Sequence, residues 1–390
     1  MIQPEYGILT CRNDPNELPL ALTLSGGGAR AAYQVGVLRS IARRHPKLRV
    51  PLLTGVSAGA INISHLASFE GDLADSADAL TDLWLRLRLE NVFCTGGPAL
   101  LWRALKAGAQ LSVGLPSFLE PVHGMVDTQP LRDYLHSALH TSDGSLPGIA
   151  RNIASGRLRG VALTANCYAT SDTVTFFSGQ AIKEWERPYR RSVETQLTIE
   201  HIMASSALPF LFPPVRIGSA WYGDGGVGLN APVAPAVHMG AGRLVVISTH
   251  YAGNHHTLAH STAAPSPATV LSSMYNSAFL DQLDQDVRHM QRTNRLIHNV
   301  GIEQRDGLRQ IGLFVIRPSR DLGSLAFDLK DRVPPTVRYL LRRLGSGQEE
   351  SDDFLSTMMF HEHYVRQLIE IGEHDGEAAA DEISEFLMSS

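Results

Sequence analysis

The 390-residue sequence predicts an α/β fold in which helices cover a mostly parallel sheet. Three observations predict it. Residues 18–24 (LPLALTL) form a nearly unbroken apolar run, as a strand buried on both faces requires. A glycine-rich loop and a stretch of helical spacing follow at once. A second short apolar run then enters a sharp turn and a second helix, so the opening reads β-loop-α-β-turn-α.

The elements follow in order. Tyr33, Val37, Leu38 and Ile41 set a helical period over 31–44, which Pro46 stops. Residues 50–53 end a buried strand, and 60–67 have helical character. Residues 72–89 read as a further helix. From 90 to 125 the period is broken by Gly96, Gly97, Pro98, Gly108, Gly114 and Pro116, while leucines, Trp102 and Phe118 keep the stretch apolar. It reads as a cap-like insert or a buried irregular helical one; exposed apolar side chains on a cap would suit contact with lipid. Residues 127–139 predict a helix with Thr128 as N-cap and Pro130 near its first position. Strands are expected at 160–164 and 174–177, around a turn at 166–172. The charged stretch 183–191 reads as a solvated face, with anionic head groups as the alternative ligand. A helix over 199–206 ends at Pro209, and prolines hold 210–215 extended. Residues 243–249 form a core strand, 250–268 a loop or linker, 270–298 a long helix and 311–316 a short strand. The tail from 327 to 390 is helical, with breaks expected at Pro334-Pro335, at 345–347 and at Gly372.

Composition narrows the function classes. Hydrophobic content of 44% and charged content of 19% describe an ordinary globular chain. A net charge of −5 gives no reason to expect nucleic acid. No apolar run is long enough to span a bilayer, and residues 1–16 lack the charged and apolar regions of a signal peptide. Three well-separated cysteines, Cys11, Cys94 and Cys167, fit a reducing cytoplasm and suggest neither a disulfide framework nor a metal site.

The chemistry centres on Gly55-Val56-Ser57-Ala58-Gly59, a G-x-S-x-G stretch between a strand and a helix. That context is what a nucleophile elbow needs, with Gly55 and Gly59 allowing a tight turn and close backbone. A serine hydroxyl also needs a base and donors for an oxyanion. Gly26-Gly27-Gly28 can supply unobstructed backbone N–H groups. The same loop lacks the Lys-Ser/Thr ending of a P-loop, and Ala31 stands where a dinucleotide fingerprint has its third glycine. Arg30 could fix that loop, neutralise an anion, or simply begin a helix. Asp224, ahead of Gly225 and Gly226, is the best base candidate, although an Asp-Gly pair is most often just a turn. A Ser-His-Asp arrangement stays open, with His238 or His250 as the third member. The cluster His255, His256 and His260 could bind a metal, but its spacing is loose and a solvated loop is the better reading; His361-Glu362-His363 lacks H-E-x-x-H spacing.

Taken together, the ordered set Gly26-Gly27-Gly28-Ala29-Arg30, Gly55-Val56-Ser57-Ala58-Gly59 and Asp224-Gly225-Gly226 resembles the patatin-like phospholipases. Residues 204–209 followed by 212–215, and Asn230-Ala231-Pro232-Val233, are similar to the family's flanking segments. The resemblance spans 18–249 and implies a three-layer α/β/α sandwich with a mostly parallel central sheet. It implies Ser57 as nucleophile, Asp224 as its direct base in a dyad without histidine, and Gly26, Gly27 and Gly28 as oxyanion hole. Arg30, Gly55, Gly59, Gly225 and Gly226 would support them. The expected activity is hydrolysis of acyl esters of phospholipids, lysophospholipids or related glycerides, with no metal or other cofactor. A lipid acyltransferase and a non-catalytic lipid-binding protein are the alternatives. The expected organisation is an extension at 1–17, a catalytic domain at 18–249 with its insert at about 90–125, a linker at 250–268, and a mainly helical extension at 269–390 packing on the core. The expected partners are a lipid or acyl-ester substrate and a peripheral membrane surface, without nucleic acid, in the cytoplasm.

Overall fold

A computed structural model describes residues 19–94, 124–228, 233–251, 282–301, 304–305, 308–329 and 352–388. The described chain opens with β1 (Leu20–Leu24), a 3₁₀ turn (Gly28–Ala31), α1 (Ala32–Arg44), β2 (Leu52–Val56), α2 (Ala58–Ser68), α3 (Leu73–Arg86) and the short α4 (Leu89–Val92). It continues with α5 (Gln129–Ala138), α6 (Pro147–Ala154), β3 (Gly160–Cys167), β4 (Thr173–Gly179), β5 (Glu186–Arg187), β6 (Arg190–Glu194) and α7 (Ile199–Ser205). Next come β7 (Val215–Ile217), β8 (Ala220–Asp224), a second 3₁₀ turn (Gly225–Val227), α8 (Ala234–His238), β9 (Arg243–Ile247) and α9 (Gln282–His298). Last are β10 (Gly312–Ile316), α10 (Leu322–Phe327), α11 (Asp352–Thr357), α12 (Glu362–Ala378) and α13 (Ala380–Met388).

The strands form one sheet in the order β10-β9-β1-β2-β3-β4-β6-β5, with β8 also pairing β3 and β7 pairing β8. The run from β10 to β3 is parallel. The far side is mixed: β3 pairs antiparallel with both β4 and β8. Alternate residues of β1 face opposite layers. Leu20, Leu22 and Leu24 join the larger core cluster under α1, α3 and α12. Ala21 joins a second cluster with Leu52, Phe177, Leu244 and Leu283 on the other face. Both faces are covered, which is why β1 and β9 read as continuous apolar runs.

The C-terminal helix α12 packs across α1 through glycine. A Cβ on Gly36 would overlap the Ile369 carbonyl, and one on Gly372 would overlap the Tyr33 carbonyl. Tyr364, Val365, Leu368 and Ile369 are buried along this face, each contributing about 1.5–3 kcal/mol of apolar burial. Gly372 therefore corrects the reading of a helix break. It lies inside α12 because two helix backbones touch there, a tertiary demand that a local propensity argument takes for a stop.

Other expectations shift in detail. Thr128 holds the N-cap position of α5 without a side-chain bond; Asp127 Oδ1 accepts from Gln129 N instead, at 3.0 Å. β3 runs to Cys167 and β4 starts at Thr173, with Asn166 paired to Thr173, so the 166–172 turn is shorter than expected. The segment 210–215 is not uniformly extended, since Phe210 adopts φ 65° before the prolines. The 3₁₀ turn, rather than α1 itself, follows the glycine loop. The breaks at 334–335 and 345–347, most of the cap-like insert, the histidines at 255, 256 and 260, and the first part of the 270–298 helix lie outside the described residues. Among the described residues no helix is long and apolar enough to cross a membrane.

Candidate active site

Ser57 joins β2 to α2 with φ 55° and ψ −131°, a conformation that side chains rarely adopt and that costs about 1–3 kcal/mol. The surroundings hold it there. Ser57 N donates to Ser205 Oγ at 3.0 Å, and Ser205 Oγ donates to the Thr164 carbonyl at 2.6 Å. Ser206 Oγ donates to the Ser57 carbonyl at 3.0 Å. Gly59 lets the start of α2 press against the Leu24 and Ser25 carbonyls, where a Cβ would overlap. The elbow is thus wedged between the end of β1 and the end of α7.

Strand register brings the acid to the serine. Val56 pairs with Thr164 across β2 and β3, and the next residue of β3, Ala165, pairs with Asp224 of β8. Ser57 Oγ donates to Asp224 Oδ2 at 2.7 Å. Gly226 N donates to Asp224 Oδ1 at 2.8 Å, and Asp224 N donates to the Ala207 carbonyl at 2.8 Å. Asp224 is 0% exposed. Burial drives its carboxyl up from 3.8 to about 7, although the Ser57 hydroxyl and the Gly226 amide both favour the ionised form. A group of that kind changes protonation near neutrality, as a general base for a hydroxyl must.

The glycine loop closes the site. A Cβ on Gly26 would stand 3.0 Å from Ser57 Cβ, so this residue faces Ser57 directly. Gly27 faces the Thr249 side chain, and Thr249 Oγ1 donates to the Gly26 carbonyl at 2.6 Å. Gly28, at φ 56°, lies against the Thr357 carbonyl of α11, where a Cβ would overlap. The N–H groups of Gly26, Gly27 and Gly28 meet no acceptor among the described residues. A buried chain of amides braces the loop from behind. Trp84 Nε1 donates to Asn62 Oδ1 at 2.7 Å, Asn62 Nδ2 to Gln34 Oε1 at 3.0 Å, and Gln34 Nε2 to the Ser25 carbonyl at 2.8 Å.

Arg30 is buried, and its Nε donates to Ser356 Oγ at 2.6 Å. That bond ties the 3₁₀ turn to a helix 326 residues further along the chain. Gly55 and Gly225 both take close backbone neighbours, Gly59 and Thr164 respectively.

The histidines make other contacts among the described residues. His238 stacks on Trp185 at 5.0 Å on the second core face, where burial and nearby arginines lower its pKa. His201 caps α7 through Thr198 and is driven by burial to about 4. His250 N donates to Ser248 Oγ at 3.1 Å. Among the described residues no histidine hydrogen-bonds to Ser57 or Asp224. Sequence reasoning missed the supporting roles of Gln34, Asn62, Ser205, Ser206 and Thr249. A signal existed for two of them: Gln34 and Asn62 are polar residues in otherwise apolar helix faces, and such groups need buried partners.

Several solved structures are similar to this chain. Human GIVD cytosolic phospholipase A2, in complex with methyl gamma-linolenyl fluorophosphonate and terbium chloride, is 14% identical, with 97% of this chain and 60% of that chain covered and a TM-score of 0.45. The human enzyme alone gives 11% identity, 95% and 60% coverage and a TM-score of 0.49. VipD from Legionella pneumophila gives 13% identity, 94% and 70% coverage and a TM-score of 0.32. The chain therefore spans 60% of the length of the human protein. No curated protein matches it. The family model described as patatin-like phospholipase matches residues 22–237, more than half of the sequence, and with Ser57, Asp224 and the glycine loop all inside that span, the chain belongs to the patatin-like phospholipase family.

Proposed function

We propose that this protein is a serine hydrolase that cleaves acyl esters of lipids through Ser57 and Asp224. The observation that carries the reading is the 2.7 Å hydrogen bond from Ser57 Oγ to a fully buried carboxylate at the strained elbow. In the first half-reaction Ser57 Oγ attacks the acyl carbonyl and its proton passes to Asp224. The carbonyl oxygen takes up the negative charge and accepts from the N–H groups of the Gly26–Gly28 loop. Collapse of the tetrahedral intermediate expels the alkoxide, which takes the proton from Asp224 and leaves an ester on Ser57. Water then attacks that ester, with Asp224 again receiving the proton. Collapse releases the fatty acid and returns the proton to Ser57 Oγ. No histidine and no metal is required by this sequence of transfers.

The pairing of strain and burial supports the reading. A fully buried acid whose only hydrogen-bond donors among the described residues are a serine hydroxyl and one amide is costly to keep for packing alone. The test is direct. Ser57→Ala and Asp224→Asn should each abolish hydrolysis of p-nitrophenyl acyl esters while circular dichroism stays that of the parent. Turnover surviving either substitution refutes the assignment. Analysis of the products in the presence of an added alcohol distinguishes transfer to water from transfer to another acceptor.

A further inference from the structure

Among the described residues, eight large hydrophobic side chains are exposed, and five of them are Tyr168, Tyr189, Phe210, Trp221 and Val227. Scattered apolar side chains are ordinary on a protein surface; a cluster is not. These five collect at one end of the sheet. Strand register defines a row across it: Gly223 pairs with Asn166, Asn166 with Thr173, and Thr173 with Arg190. Trp221 and Val227 flank Asp224 in sequence, on its strand and on its following turn. Tyr168 stands at the end of β3, where its N–H donates to the Trp221 carbonyl at 3.0 Å and its hydroxyl crowds Gly223. Tyr189 precedes Arg190, and its carbonyl accepts from Thr173 N. Phe210 follows Ala207, whose carbonyl accepts from Asp224 N. All five therefore sit at the end of the sheet that carries Ser57 and Asp224.

Two of them are also strained. Tyr189 (φ 60°) and Phe210 (φ 65°) occupy the left-handed region, which bulky side chains seldom adopt, and they are 77% and 61% exposed. Tyr189 closes the two-residue turn between β5 and β6, where Arg187 pairs with Arg190, so the hairpin carries an aromatic outward in a conformation that glycine or asparagine would adopt more readily. The β7–β8 hairpin that carries Trp221 continues past the paired end of β3, so it projects from this edge. Arg187 and Arg216, exposed at the same end, form no ion pair among the described residues. Tyrosine and tryptophan beside arginine suit a lipid–water interface, where the ring is half immersed and the cation meets anionic head groups.

We infer that Tyr168, Tyr189, Phe210, Trp221 and Val227 form a docking rim that seats the catalytic end of the sheet on a phospholipid bilayer surface. The inference rests on the lipid-ester reading of Ser57 for its purpose, but its test does not depend on turnover. Ser57 is buried, so a lipid must leave the bilayer to reach it. A rim around Asp224 shortens that transfer by placing the entrance at head-group level.

The experiment uses the full chain carrying Ser57→Ala, co-sedimented with phosphatidylcholine vesicles containing phosphatidylglycerol. Adding Tyr189→Asn and Trp221→Thr should weaken partitioning at least about tenfold. Asparagine suits the left-handed φ at 189 and threonine suits a strand, so neither change threatens the fold; Tyr189→Asn alone should give a smaller loss in the same direction. Brominated lipid should quench tryptophan fluorescence of the Ser57→Ala chain and quench it less once Trp221 is replaced. In the Ser57-intact chain the two substitutions should leave turnover of soluble p-nitrophenyl acetate within about twofold. Partitioning that is unchanged by the substitutions overturns the inference, as does a Ser57→Ala chain that does not bind these vesicles. Rim-dependent binding without any esterase activity would remove the proposed function and leave the rim; esterase activity without rim-dependent binding would do the reverse.

Discussion

Replacing Asp224 by asparagine should make the protein more stable at alkaline pH while removing its activity. Burial raises this carboxyl from 3.8 to about 7 in the folded state. The unfolded chain loses the proton near the ordinary value, whereas the folded chain keeps it until neutrality. Between those two values the folded state binds more protons, so folding stability falls as pH rises. The stability associated with the protonated carboxyl is fully present below the unfolded value and is lost as pH rises through about 7. A shift of about three units corresponds to about 4 kcal/mol, an order-of-magnitude figure for one buried group. Asparagine carries no charge to bury, can still accept from Gly226 N, and presents an amide to Ser57 Oγ. Urea unfolding of wild type and Asp224→Asn at a series of pH values is the assay. The variant's advantage should grow between about pH 4 and pH 8 and level off beyond. A difference independent of pH, or one that grows toward acid, would refute the reasoning. The same ionisation should appear in catalysis: kcat/KM of the wild type falls tenfold per pH unit below about 7, because only the ionised carboxylate can take the serine proton.

Three further outcomes follow from the geometry. His238→Ala and His250→Ala should each keep turnover within about threefold of wild type, since neither ring bonds to Ser57 or Asp224; loss of acyl-enzyme formation on removing either would restore a three-residue relay. Ser205→Ala frees the Ser57 amide and should lower kcat by roughly 10- to 100-fold with little change in KM, measured by burst-titrated steady-state kinetics. Gly372→Val forces α12 away from α1 and should cost roughly 3 kcal/mol or more, seen as a fall in the urea midpoint; an unchanged midpoint would contradict the backbone contact at Tyr33.

Much of this site was legible in the sequence because its parts are local. A glycine triplet between a strand and a helix, and a serine between two glycines, are demands of backbone geometry that only certain residue types meet. The buried strands were legible for the same reason: both faces of β1 and β9 meet apolar layers, so the run needs no alternation. The sequence also placed Asp224 beside two glycines, but its meeting with Ser57 depends on two successive strand registers, and register is a property of paired strands. The same limit explains Gly372. A glycine inside a helix and a glycine ending one look alike until the facing helix is known. Arg30 was open between three roles because its partner, Ser356, lies in a helix whose packing no local pattern specifies. Residue type and spacing thus determined which groups were available for chemistry. Tertiary structure decided which of them touch, because the distances that matter are set by the packing of segments far apart in the chain, and the carboxyl's affinity for its proton is set by the water that packing excludes.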